Sequence, residues 1–164
     1  QGTPPVRETV KLEEIRERTP ALLAKLVEVW EASVKATHHF LTEGERERIK
    51  TYVPQALQQV ERLLAAWETP GKPLGFLGVS GDCLEMLFLS PQARGKGLGR
   101  RMLQRAIDEY GVTRLTVNQQ NPQAVGFYQH MGFQITGSSP TDEQGGPYPL
   151  YTMSLPRGAP SPKG

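Results

Sequence analysis

The stretch Leu84-Glu85-Met86-Leu87-Phe88-Leu89-Ser90-Pro91-Gln92-Ala93-Arg94-Gly95-Lys96-Gly97-Leu98-Gly99-Arg100-Arg101-Met102-Leu103 reads as a buried strand, a tight glycine loop and a helix in unbroken succession. The apolar run over residues 84 to 89, closed by Ser90-Pro91, has the length and composition of a strand covered on both faces. Past the glycines, Leu98, Met102, Leu103, Ala106 and Ile107 recur at helical spacing on one side, and Arg100, Arg101, Gln104, Arg105, Asp108 and Glu109 fall on the other. Gly95, Gly97 and Gly99 carry no Cβ that would hold a diphosphate off the main chain, so successive N–H groups can point at one anion. The helix N-terminus adds about half a positive charge at the same place. Arg94 and Lys96 can close around the same group. A glycine turn that merely joins strand to helix is the plainer alternative; the flanking strand, helix and cations favour phosphate binding.

Two nucleotide loops do not fit. No Ser or Thr follows a Lys here, as a P-loop requires, and the third glycine comes one residue too early for the dinucleotide fingerprint. Gln92-Ala93-Arg94-Gly95-Lys96-Gly97 instead resembles the Q/R-x-x-G-x-G/A acyl-CoA loop of the GNAT superfamily of N-acetyltransferases. Downstream, Asn121-Pro122-Gln123-Ala124-Val125-Gly126-Phe127-Tyr128-Gln129-His130-Met131-Gly132-Phe133 is similar to that superfamily's N-x-x-A-x-x-F-Y-x-x-x-G-F segment, at the expected distance. The resemblance covers the C-terminal two-thirds of the chain well and the N-terminal third loosely. Trp30, Ala36-Thr37-His38-His39-Phe40-Leu41 and Pro147-Tyr148-Pro149-Leu150 resemble a small bacterial, YjaB-like subgroup. The fold implied is α/β: a mixed, mostly antiparallel sheet with two splayed parallel central strands and about four helices.

A chain of 164 residues is expected to form one domain, here residues 1 to 155, followed by a mobile tail rich in Pro and Gly over 156 to 164. A net charge of +2 with both signs interspersed does not imply a polyanion, and no concentrated basic face marks a nucleic-acid binder. Arg100, Arg101 and Arg105 read as a solvated helix face, standing where a CoA phosphate could lie. The single cysteine, Cys83, excludes an intrachain disulfide and a C-x-x-C metal site, and is read as a buried structural thiol. No apolar run approaches the roughly 20 residues of a membrane span. The expectation is a cytoplasmic monomer or homodimer without a metal.

Taken in order, residues 4 to 18 hold one strand, placed either at 6 to 10 or within 12 to 18, and the resemblance favours 14 to 18. Thr19-Pro20 reads as an N-cap with proline at the first helical position, opening a helix with Leu22, Leu23, Leu26, Val27, Trp30 and Val34 on one face. Residues 43 to 53 read as a second, charged helix. Between 55 and 67 a helical stripe competes with a strand; the resemblance selects a strand at 62 to 67, turning at 69 to 72 into a hairpin partner over 73 to 80. A parallel strand is expected at 113 to 117, a helix capped by Asn121 and ended by Gly132, and a closing antiparallel pair over 133 to 137 and 150 to 155. The intervening loop, 138 to 149, would lie over an acceptor site.

The resemblance further implies that acetyl-CoA is the co-substrate and a primary amine the acceptor, with attack direct in a ternary complex. Leu87, Phe88 and Leu89 would offer main-chain groups to the pantetheine arm; Arg94, Gly95, Lys96, Gly97, Leu98, Gly99 and Arg100 would hold the diphosphate; Asn121 would reach the pantetheine or a water beside it. Tyr128 matches the tyrosine that stands near the thioester sulfur. Its ordinary pKa of about 10 lies above the ~8.5 of a thiol, so it can donate a proton without first ionising. An amine of ordinary pKa near 10 must lose a proton before attack. Asp82, Glu85, His38 and Tyr148 are the candidates for that work, Glu85 first by strand position, although a carboxylate there is equally explained as facing solvent. His38 and His39 admit a structural reading as well. A non-catalytic acyl-CoA sensor is the alternative function.

Overall fold

The computed structural model describes residues 10–156. The tail expected from 156 onward, past its first residue, and four of the five residues of the candidate strand at 6 to 10 therefore lie outside the described residues. Seven strands form one sheet: β1 (Lys11–Glu14), β2 (Arg62–Thr69), β3 (Lys72–Ser80), β4 (Cys83–Leu89), β5 (Arg114–Asn118), β6 (Gln134–Ser139) and β7 (Leu150–Ser154). Their spatial order is β1-β2-β3-β4-β5-β7-β6, and only the β4–β5 pair is parallel. The helices are α1 (Pro20–Thr37), α2 (Glu43–Lys50), α3 (Val53–Gln59), α4 (Leu98–Tyr110) and α5 (Pro122–His130), with a 3₁₀ turn at Pro91–Ala93. This is the mixed, mostly antiparallel sheet that the GNAT resemblance implies.

Local chemistry accounts for most boundaries. Thr19 Oγ1 accepts the Leu22 N–H at 3.2 Å and Pro20 follows, so α1 starts where cap and proline say it must. Its apolar side, Leu23, Leu26, Val27, Trp30 and Val34, packs with Leu57, Leu63, Ala65 and Phe76 on one face of the sheet. On the opposite face α4 buries Leu98, Met102, Leu103 and Ala106 against Leu64, Leu77, Leu115 and Phe133. Alternate residues of β2 thus serve opposite layers, the period-two behaviour of a doubly covered strand.

Three sequence expectations are corrected. The first strand is Lys11–Glu14, overlapping the favoured 14 to 18 at one residue only, and it pairs with β2 from Lys11↔Trp67 to Glu14↔Leu64. Ile15 turns into the core, and the chain beyond it leaves the sheet. The helix expected over 43 to 53 ends at Lys50, because Pro54 has no N–H to bond the Lys50 carbonyl; a new helix starts at Val53 with that proline in its first turn. The β4 strand is not covered on both faces. Only Leu84 is buried, Glu85 is exposed and residues 86 to 89 are half-buried, because β5 pairs with β4 at only two positions, Cys83↔Arg114 and Leu84↔Leu115.

Arg18 closes the seam between α3 and β2. Its Nη1 donates to the carbonyls of Leu57 (2.9 Å), Gln58 (3.0 Å) and Val60, its Nη2 to Glu61 (3.1 Å), and Gln58 Nε2 returns a bond to the Arg18 carbonyl. These are orphan acceptors at a helix end, where a cation is also favoured by the helix dipole. Arg18→Ala is expected to cost about 2 kcal/mol, the worth of charge-assisted hydrogen bonds to groups only partly open to water. A urea midpoint unchanged from wild type would show that water replaces the guanidinium there.

Candidate active site

The parting of β4 from β5 produces the site. Beyond Leu84, β4 stays paired with β3 as far as Leu89 and no longer with β5, whose other edge pairs with β7 from Arg114↔Ser154 to Asn118↔Leu150. A cleft of about 370 Å³ opens in the wedge, walled by Leu87, Phe88 and Leu89 on one side and by Ala124, Phe127 and Tyr128 of α5 on the other. The glycine loop closes one end and the last turn of α1 another.

Gly95 (φ +75°) and Gly97 (φ +84°) both occupy the left-handed region that a side chain disfavours. A Cβ on either would meet nothing within 4 Å, so the room over both main chains is free for a ligand. Gly97 is also the N-cap of α4 and offers no side-chain acceptor, so no side chain of its own occupies the first-turn amides. Gly99 serves packing instead. A Cβ there would come within 3.3 Å of Leu89 Cδ1 and 3.6 Å of Phe127 Cζ, so the glycine permits close approach of helix to strand. Arg94 and Arg100 line the mouth, Arg94 Nη2 donating to Gln123 Oε1 at 3.0 Å from loop to α5. No carboxylate lines the cleft among the described residues.

Tyr128 is buried, its ring 5.3 Å from Phe127 and set edge-on to Phe133 at 6.1 Å. That burial raises its phenol well above the ordinary tyrosine value, because the phenolate would lose its water. His38 caps α1, its N–H bonded to the Val34 carbonyl at 2.8 Å, and faces the same cleft. Desolvation, with smaller contributions from His39 and Arg94, lowers its pKa to about 4, so the ring is neutral in ordinary buffers. A line of rings runs outward from the wall: Phe88 to His38 (6.5 Å), His38 to Phe40 (5.3 Å) and Phe40 to Tyr148 (6.2 Å). Tyr148 Oη donates to the Glu45 carboxylate, tying the loop after β6 to α2.

Of the residues singled out from sequence, Leu87, Phe88, Leu89, Arg94, Gly95, Gly97, Gly99, Arg100, Asn121, Tyr128 and His38 meet at this cleft. Others do not. Leu98 is fully buried on the core side of α4, leaving only its main chain for the loop. Lys96 is exposed. Tyr148 stands at the outer end of the line of rings, beyond the cleft wall. Glu85 lies at an irregularity where Val79↔Leu84 is followed by Gly78↔Met86, and this extra residue lines a separate depression with Gln59 and Ser80. Asp82 sits at the far end of β4, accepting from Thr113 Oγ1 (3.0 Å) and Arg114 Nε (2.9 Å), which hold its carboxyl below the usual range. Arg101 and Arg105 also leave the phosphate region: they donate to the carbonyls of Val10 (2.7 Å) and Leu12 (3.4 Å) and hold β1 and the residue before it against α4. Asn121 Oδ1 caps α5 by accepting the Ala124 N–H at 3.3 Å.

Sequence reading missed Ser33, Thr37, Gln123 and His130, which also line the cleft. Ser33 carries a signal in the sequence: it is a polar residue three positions after Trp30 and next to Val34, on the apolar side of α1, and it is buried in the structure.

The acetyltransferase (GNAT) domain family matches residues 27–155. Peptidyl-lysine N-acetyltransferase YjaB of Salmonella typhimurium (strain LT2) is 37% identical over 132 residues, spanning 80% of this chain and 90% of that protein. The solution structure of apo-form YjaB from Escherichia coli aligns with a TM-score of 0.79 at 35% identity, over 90% of this chain and 97% of that one. YncA from Salmonella typhimurium, solved with its cofactor acetyl-CoA, shares the fold at a TM-score of 0.62 and 20% identity, over 94% and 98% of the two chains. With both the glycine loop and the Asn121-to-Phe133 segment inside the matched span, the chain belongs to the GNAT acetyltransferase family.

Proposed function

We propose that this protein acetylates a primary amine, the side chain of a peptide lysine, with acetyl-CoA as donor and direct attack in a ternary complex. The observation that carries the reading is the wedge between β4 and β5, open at one end onto left-handed glycines with clear space above them and flanked at the other by Tyr128 and His38. The residues present fit the co-substrate. Arg94 and Arg100 supply cations for a diphosphate, and Leu87, Phe88 and Leu89 supply an apolar wall with main-chain groups that β5 leaves unpaired. Acetyl-CoA, when bound, supplies an acyl group already activated as a thioester. The name of the 37%-identical relative favours a peptidyl lysine as acceptor.

Each wall has its own work. A main-chain N–H near Met86 or Leu87 would face the carbonyl oxygen, where hydrogen bonds matter most as charge develops; such a donor is typically worth about 3 kcal/mol of barrier. Tyr128, kept protonated by its burial, would hold a proton for the departing sulfur. His38, neutral in ordinary buffers, would meet the amine rather than a carboxylate or phosphate. Domain extent follows the same reading, one acyltransferase unit through residue 155.

The test has two arms. Acetyl-CoA at 100 times its dissociation constant should stabilise the protein by about 2.7 kcal/mol, roughly 5–10 °C at the midpoint for a chain of this size. Free thiol should then appear from acetyl-CoA only when a lysine peptide is added. A thermal shift without amine-dependent thiol release would make the protein an acyl-CoA sensor; no shift at all would remove the co-substrate site.

A further inference from the structure

Thr37, in the last turn of α1, makes two short contacts to which binding and proton transfer at the cleft assign no part. Thr37 Oγ1 lies 2.8 Å from the Ser33 carbonyl and 2.7 Å from His38 Nδ1. A hydroxyl has one proton and two lone pairs. If that proton goes to the Ser33 carbonyl, the Nδ1 contact must be filled by an N–H of the ring, and both short contacts become hydrogen bonds. If it goes to Nδ1 instead, two oxygens are left facing each other at 2.8 Å with no proton between them. The first arrangement satisfies every group, so the neutral ring carries its proton on Nδ1 and its Nε2 is bare. Phe40 and Phe88 hold the ring from the sides, and Ser33, Thr37 and His38 line the cleft that Tyr128 faces. His39, next in the chain, and Arg94, at the cleft mouth, both oppose a second proton on the His38 ring.

We propose that Thr37 is a positioning residue: it locks His38 in the Nδ1–H form, so that the bare Nε2 accepts an N–H of the incoming neutral amine and orients the nitrogen lone pair toward the acyl carbon. The amine contact rests on the acetyl-transfer reading, whereas the tautomer is a property of the protein alone.

The two parts are tested separately. Long-range proton–nitrogen correlation spectra of uniformly ¹⁵N-labelled protein at neutral pH should show His38 Nδ1 as a protonated, pyrrole-type nitrogen and Nε2 as a bare, pyridine-type one. Thr37→Val, close in shape but without the hydroxyl, should lose that preference, and Thr37→Ser should return it. In turnover assays Thr37→Val should raise KM for a lysine peptide about tenfold, the worth of one neutral hydrogen bond, while KM for acetyl-CoA moves less than about twofold; Thr37→Ser should bring the peptide KM back. A wild-type ring protonated on Nε2 overturns the tautomer. An unchanged peptide KM in Thr37→Val overturns the amine contact. Absence of turnover in the wild type would overturn the acetyl-transfer reading and the amine contact with it, and the nitrogen shifts would still decide the role of Thr37.

Discussion

Gly97→Glu is expected to weaken CoA binding by a factor of about 10² to 10³ while leaving the fold intact. The backbone at residue 97 has φ +84°, so any L-residue there carries a strain of roughly 1–2 kcal/mol, but a Cβ meets no atom within 4 Å. The Cβ therefore collides with nothing in the protein, and the carboxylate it carries would stand in the space proposed for the diphosphate. A carboxylate about 4 Å from one phosphate charge, at an effective dielectric of about 20, is repelled by about 4 kcal/mol, which converts to a loss of that size. Gly97→Ala separates the two contributions, since it carries the strain without the charge and should lose stability but little affinity. Calorimetric titration with CoA measures both. A Gly97→Glu dissociation constant indistinguishable from wild type would mean that the diphosphate lies elsewhere.

The second large effect is on turnover. Tyr128→Phe keeps the ring that packs on Phe127 and Phe133, so stability and the KM for acetyl-CoA should stay near wild type. What disappears is one acidic proton. General acid catalysis by a positioned group contributes typically about 10²–10⁴-fold, and kcat should fall within that range. Burial raises the phenol above its ordinary value, so Tyr128 remains protonated through neutral and mildly alkaline pH. Its removal should therefore lower the rate evenly across roughly pH 6 to 9 rather than shift a limb of the profile. An unchanged kcat would pass the proton to water or to another group.

These two residues were reachable from sequence for different reasons. Gly97 belongs to a run in which strand, turn and helix are consecutive in the chain, and the φ values it needs follow from having no side chain. Tyr128 stands out only through the resemblance to the GNAT segment; by itself it reads as a helix aromatic, and Asn121 with Pro122 behind it signals only the helix start. Glu85 shows the opposite case. Strand periodicity assigns faces by counting in twos, yet the irregularity at 84 to 86 puts Leu84 and Leu87 in the same core layer and leaves Glu85 outside the cleft. Nothing in the local pattern marks a bulge of that kind. The first strand is illegible locally for a related reason: Lys11–Glu14 is a strand because β2, far along the chain, offers it an edge, and its own alternation is too short to show it. Asp82, attractive beside an active strand, is held by Arg114, a partner that the turn brings alongside only when β5 joins β4.

The sequence by itself determined the pieces whose causes are neighbours in the chain: the strand, glycine loop and amphipathic helix from 84 to 110, the caps at Thr19 and Asn121, and the glycines that tolerate positive φ. Each depends on interactions spanning a few residues, which a linear pattern records. Only the tertiary structure decided which side chains share one cleft. Ser33, Thr37 and His38 come to face Tyr128 because β5 parts from β4 after two pairs, and the space so opened is lined by α1 on one side and α5 on the other. Where two strands stop pairing depends on how elements far apart in the chain are seated against one another, and no residue in the cleft carries a sign of it.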